Sequence, residues 1–125
     1  MNCPKCNAVM EKVTFQRIEV DRCTNCKGIW FDFAEHKQLK TFDRAAEAID
    51  TGDRKTGQEF NQIGSIDCPI HKTRMTRLVD VKHPHLWYES CPVCYGVFFD
   101  AGEFTDYAEE NLLDFFKDWL MKERK

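Results

Sequence analysis

Several features are missing from this 125-residue chain, and each absence removes a class of protein. No run of about 20 apolar residues occurs, so nothing reads as a membrane-spanning helix. The opening Met1-Asn2-Cys3-Pro4 has neither the basic start nor the apolar stretch of a secretory leader, and a soluble, cytoplasmic protein is expected. Positive charge is not in surplus: 18 Lys and Arg stand against 21 Asp and Glu, a net charge of −3. Strong nonspecific attraction to a phosphate backbone is disfavoured, all the more because residues 100–125 carry eight acids against four bases. A phosphate loop is missing too, since Gly52-x-x-x-x-Gly57 is followed by Gln58-Glu59 in place of Lys and Ser or Thr. The 7 cysteines are odd in number, and without an export signal they favour reduced thiolates over a disulfide framework.

What is present is a duplicated ligand pattern that uses every cysteine. The first set is Cys3, Cys6, Cys23 and Cys26; the second is Cys68, His71, Cys91 and Cys94, with His71 standing where a cysteine would otherwise be. Flanking residues repeat as well: Met10 follows the first pair as Met75 does the third, and Cys26-Lys27-Gly28-Ile29-Trp30-Phe31-Asp32 with Glu35 aligns with Cys94-Tyr95-Gly96-Val97-Phe98-Phe99-Asp100 with Glu103. The offset is 65 residues at the first ligand pair and 68 at the second, which places three extra residues near Lys82-His83-Pro84, a length change that a hairpin tip tolerates.

Paired thiolates, with one imidazole, suit zinc: the ion is borderline soft and has no electronic objection to a tetrahedron. Iron in a rubredoxin-like site is the rival, disfavoured at the mixed set and open at the first. Four protein ligands leave no position for water, so a non-enzymatic protein with two structural zinc ions is expected. His83 and His85 fall outside the duplicated position and read as hairpin-tip residues, and His36 as a solvated helix residue. A thioredoxin-like use of the Cys-x-x-Cys pairs lacks its βαβ setting.

Between ligand pairs, Val13, Phe15, Ile18 and Val20 flank a turn at Gln16-Arg17, and Leu78, Val81, Leu86 and Tyr88 do the same around His83-Pro84-His85; both read as short hairpins. Gly28 and Gly96 are read as supplying backbone freedom after the last thiolate. Asp32-x-x-Glu35 and Asp100-x-x-Glu103 are capping-box signals for helices. A first helix is expected through Leu39, Phe42, Ala46 and Ile49, with a polar linker from Asp53 to Ser65. A second carries the stripe Phe104, Tyr107, Leu112, Phe115, Phe116 and Trp119, which completes a core or forms a partner face. Trp30-Phe31 and Phe98-Phe99 read as packing residues in preference to base-stacking platforms. The expected architecture is α+β: two small, β-rich, zinc-stapled ribbons at residues 1–35 and 67–103, a helix and linker at 36–66, and an amphipathic helix at 104–125. Modules of about forty residues are too small for an apolar core alone, so metal must supply much of their stability.

The runs Cys3 to Glu35 and Cys68 to Glu103 resemble the transcription-factor-IIB-type zinc-ribbon family of short bacterial proteins, Gly28, Trp30, Asp32 and Glu35 matching as well as the ligands. The resemblance implies zinc on the eight positions named. It also implies a role near transcription or nucleic acid, by analogy with a ribbon that contacts polymerase. Two functions follow as expectations. One is a protein-docking module whose C-terminal helix meets a partner or a second copy. The other is nucleic-acid binding through a basic patch of Arg74, Arg77 and Lys82, with Trp87 nearby for stacking. The charge balance favours docking.

Overall fold

A computed structural model describes residues 1–42, 44–79 and 86–109. Its centre is one six-stranded antiparallel sheet to which both ribbons contribute. The first ribbon supplies β1 (Met10–Phe15), β2 (Ile18–Cys23) and β3 (Ile29–Phe31); the second supplies β4 (Thr76–Val79), β5 (Trp87–Ser90) and β6 (Val97–Phe99). The order is β1-β2-β3-β6-β5-β4, so the ribbons join edge to edge through β3 and β6. In that seam Ile29 pairs with Phe99, Trp30 with Phe98 and Phe31 with Val97. Trp30 thus faces its own counterpart in the repeat, and a pseudo-twofold axis passes through that pair.

Alternation along the two seam strands sorts side chains to opposite faces. Ile29, Phe31, Val97 and Phe99 enter a core with Leu39, Ala45, Ile49, Phe104 and Tyr107 on the helical face. Trp30 and Phe98 enter a second core with the metal-ligand cysteines, Met10 and Met75. All four residues Trp30, Phe31, Phe98 and Phe99 are buried, which removes them as stacking platforms for bases.

The glycines after the thiolates have a different task from the one expected. The left-handed backbone falls on Lys27 (φ 64°) and Tyr95 (φ 61°), not on Gly28 and Gly96. A β-carbon on Gly28 would run into the Phe98 ring, and one on Gly96 into the Trp30 indole. Each ribbon's glycine is the seat for the other ribbon's aromatic ring. At the first hairpin both turn residues, Gln16 (φ 50°) and Arg17 (φ 68°), are left-handed, the turn whose twist matches a two-residue connection between Phe15 and Ile18.

Two expectations for the helices need correction, and one left open is decided. The first helix is two short ones, α1 (Glu35–Leu39) and α2 (Ala45–Ile49), separated by a left-handed Arg44 (φ 66°). The break changes the phase: Leu39, Ala45 and Ile49 are buried, whereas Phe42 is exposed and meets Phe15 edge-on. The expected polar linker contains α3 (Arg54–Asn61), whose first turn is capped by Asp53 accepting from the Lys55 amide at 3.0 Å. Its contact with the body runs through Gly57, pressed on the Ala101 backbone, and Phe60, so little apolar periodicity marks it in sequence. Residues 103–109 are helical, and of the two roles open to Phe104 and Tyr107, core or partner face, burial gives them the core. Leu112, Phe115, Phe116 and Trp119 lie outside the described residues. Among the described residues no helix is long and apolar enough to cross a membrane.

His36 is also corrected: it is buried among Phe31, Tyr88, Phe99 and Tyr107. Burial, with Lys37 and Lys40 nearby, lowers its pKa to about 4. A histidine depressed below its unfolded value of ~6.5 keeps its contribution at neutral pH and loses it as pH falls, because the unfolded chain takes up the proton first. His36→Phe, which installs the residue at the equivalent position Phe104, is expected to remove about 2 kcal/mol of the stability lost between pH 7 and pH 5. Urea unfolding of both proteins at the two pH values measures the difference.

Candidate metal centres

Each site is assembled from two turns. In the first, Cys3 and Cys6 lie on one knuckle, closed by the Cys3 amide donating to the Ala8 carbonyl at 2.8 Å and the Asn7 amide to the Cys3 carbonyl at 2.9 Å. Cys23 and Cys26 lie on another, closed by the Cys23 amide on the Gly28 carbonyl at 2.8 Å. The second site repeats these closures at Cys68 to Thr73 and at Cys91 to Gly96, 2.8 and 2.9 Å. Left-handed Asn7 and Lys72 end the equivalent first knuckles. Backbone amides then point at sulfur: Lys5 on Cys3 at 3.4 Å, Asn25 on Cys23 at 3.3 Å, His71 on Cys68 at 3.4 Å and Val93 on Cys91 at 3.4 Å. Such donors stabilise thiolates before any cation is considered.

The ligand atoms of Cys3, Cys6, Cys23 and Cys26 lie within 4.8 Å of one another, as do those of Cys68, His71, Cys91 and Cys94. Sulfur pairs stand 3.7 Å apart for Cys3 and Cys26, 3.3 Å for Cys6 and Cys23, and 3.8 Å for Cys68 and Cys94. A tetrahedron of Zn–S bonds near 2.3 Å has an edge of about 3.8 Å. Cys68 Sγ to His71 Nδ1 is 3.9 Å. The residues fit two zinc ions, and the donor set is the expected one at all eight positions. Without a cation, the hydrogen bond from Cys26 pulls the Cys3 thiol down to about 5 while Cys26 itself is driven far up. A dication is what allows four thiolates to share so small a volume. With four protein donors at each site, a bound zinc ion would hold the turns together.

The two sites differ in their surroundings. Lys5, between Cys3 and Cys6, reaches across the pseudo-twofold into the second ribbon. Its ammonium is fully buried, 2.6 Å from Asp100 and 2.9 Å from Glu89, and donates to the Phe60 carbonyl of α3 at 3.1 Å. Arg77 joins Glu89 at 3.8 Å and the Asn61 side chain at 2.6 Å. Burial, and then Asp100 and Glu89, raise Glu103 to about 9, so three carboxyls stand opposite two cations. Spacing and periodicity give no signal for this cluster, although aligning the repeats sets Lys5 opposite Ile70.

The basic patch expected at Arg74, Arg77 and Lys82 is not a free one. Arg74 pairs with Asp67 at 2.8 Å, and Arg77 is committed to Asn61 and Glu89 with its guanidinium over the Trp87 ring at 5.5 Å. Lys82, His83 and His85 lie outside the described residues. The capping-box pairs are only half realised: Glu35 Oε1 accepts from the Asp32 amide at 2.9 Å, but the Asp32 carboxylate accepts from the Trp30 indole at 3.1 Å and Asp100 is taken by Lys5.

Residues 2–42 match the transcription factor zinc-finger family, in its transcription-factor-IIB-type zinc-ribbon form. The match covers the first ribbon with its four cysteines and α1. The second ribbon stands beside it on its own geometry, with the same turns and a second four-ligand group. No curated protein and no solved structure matches the chain.

Proposed function

We propose that this zinc-ribbon protein is a non-catalytic docking module that holds the knuckle end of its second ribbon out to a partner protein. The observation that carries the reading is an exposed apolar cluster on a rigid support. Ile70, Val93 and Tyr95 on the two knuckles are 48%, 56% and 59% exposed, and Phe33 from the first ribbon is 69% exposed. Phe33 and Tyr95 rings touch, with centroids 5.9 Å apart. Aromatic and branched side chains grouped on a metal-clamped turn cost little entropy to immobilise and so suit an interface. The engagement of Arg77 with buried Glu89 and with Asn61, and the neutralising of Arg74 by Asp67, support docking over nucleic-acid binding. The match of residues 2–42 to a transcription-factor family supports a transcription-associated partner.

The test is a fluorescence-anisotropy titration of the zinc-loaded protein with labelled single-stranded and duplex DNA and RNA at two salt concentrations. Binding weaker than micromolar, unchanged in Arg74→Glu, is the expected result. Submicromolar, salt-dependent binding that Arg74→Glu and Lys72→Glu abolish would put nucleic acid first. Arg77 is a poor choice for this purpose, because reversing it also unpairs Glu89.

A further inference from the structure

The pseudo-twofold axis gives the exposed cluster a twin whose cover is known. At the first ribbon's end the equivalent positions are Lys5, Lys27 and, contributed by the other ribbon, Ala101. That surface is closed by residues 50–61. Gly52 packs on Lys27 and Ala101, Gly57 of α3 lies on the Ala101 backbone, and the Phe60 carbonyl takes the Lys5 ammonium. At the second ribbon's end the corresponding residues are Ile70, Tyr95 and Phe33, larger and more apolar, and the described residues leave them open.

Charge differs between the twins as well: Lys5 and Lys27 at the covered end correspond to Ile70 and Tyr95 at the open one. Under α3, Glu89, Asp100 and Glu103 are faced by Lys5 and Arg77. Beside the open cluster, Asp21, Asp32 and Glu35 occupy the equivalent positions and Lys12 takes the place of Arg77, 2.7 Å from Asp21. The counterpart of Lys5 is Ile70, so this acidic group has one cation fewer among the described residues. Asp32, adjacent to Phe33, is exposed.

Resting on the docking reading above, we propose that this surface receives a short amphipathic helix of a partner protein, laying its apolar face on Ile70, Tyr95 and Phe33 and a lysine or arginine over Asp32 and Glu35. The helix covers the second ribbon as α3 covers the first and supplies the ammonium that Ile70 does not. Apolar anchors beside the exposed Asp32 and the half-buried Glu35 select for a basic helix and against an acidic or neutral one.

The experiment is selection of a displayed library of 16-residue helical peptides on the zinc-loaded full-length protein, followed by binding measurements with synthetic copies of the winners. The expected winners are amphipathic and basic. Their affinity should fall at least tenfold on Tyr95→Asn, a substitution that suits a left-handed backbone, and at least tenfold on Asp32→Asn with Glu35→Gln, zinc content and melting temperature being unchanged. Winners that are acidic or neutral, or that ignore the carboxamide pair while still depending on Tyr95, would overturn the basic helix and leave docking intact. Winners that bind a Phe33→Ser, Tyr95→Asn protein equally well would overturn both. A concentration-dependent dimer abolished by Tyr95→Asn would assign the surface to a second copy of the chain and overturn the partner helix.

Discussion

Cys26→Ser is expected to release both zinc ions and to unfold the whole sheet in one transition, although it touches a ligand of the first site alone. Cys3, Cys23, Cys26, Cys68 and Cys91 line a single buried cluster with Trp30 and Phe98. Neither ribbon has an apolar interior that the other does not help to fill. A structural zinc contributes about 10 to 16 kcal/mol of apparent binding energy, as much as or more than the total stability of a typical domain. Weakening the first tetrad therefore removes the wall against which the second is packed. Native mass spectrometry for zinc content, with circular dichroism on heating, checks this. A variant that keeps one ion and melts in two steps would show the ribbons to be energetically separate.

The second large effect is expected at Lys5. Replacing it by methionine keeps most of the side-chain volume but leaves Glu89 and Asp100 buried without the ammonium that lies 2.9 and 2.6 Å away. Stranding one side of a buried ion pair costs about 3 to 5 kcal/mol, whereas its twin Lys12, mostly in water, is expected to cost below ~1 kcal/mol when changed to methionine. The sign with pH follows from the carboxyls. Burial already pushes both Glu89 and Asp100 up, against the pull of Lys5. Without Lys5 they rise further above their unfolded values, so the folded protein takes up protons first as pH falls. The Lys5→Met deficit should accordingly shrink between pH 7.5 and pH 6, where the zinc sites remain loaded. Denaturant unfolding at the two pH values decides it; an equal deficit at both would mean that the ammonium is not what neutralises this cluster.

The metal ligands are legible in the sequence because their constraint is local: a tetrahedron closed by Cys-x-x-Cys turns fixes spacing to the residue. The hairpin at Gln16-Arg17 and the buried Trp30 and Phe98 are legible for related reasons, a two-residue turn and an apolar run set between a thiolate turn and an aspartate. The joining of the ribbons is not, since nothing in a strand of three residues names the edge it will pair with. Gly28 and Gly96 carry the signal in disguise, being required by a ring from the other ribbon and not by their own backbone angles. His36 reads as a solvated residue although the 68-residue offset sets it opposite Phe104, where an aromatic ring fills the core. The helix α3 is hidden because it packs through a glycine and one phenylalanine, a face too narrow to give a periodic pattern. Lys5 is hidden because a lone lysine between two ligands looks solvated until the opposite ribbon's acids are placed around it.

The seam through Trp30 and Phe98 has the symmetry of an isologous dimer interface, with Ile29 meeting Phe99 and Phe31 meeting Val97 across the same axis. Separate copies of one ribbon could meet in the same way, but their union would depend on how many copies the solution held. Carrying both on one chain replaces that dependence with a fixed effective concentration set by the chain between them. Dilution, which would drive such a pair of copies apart, leaves this sheet whole.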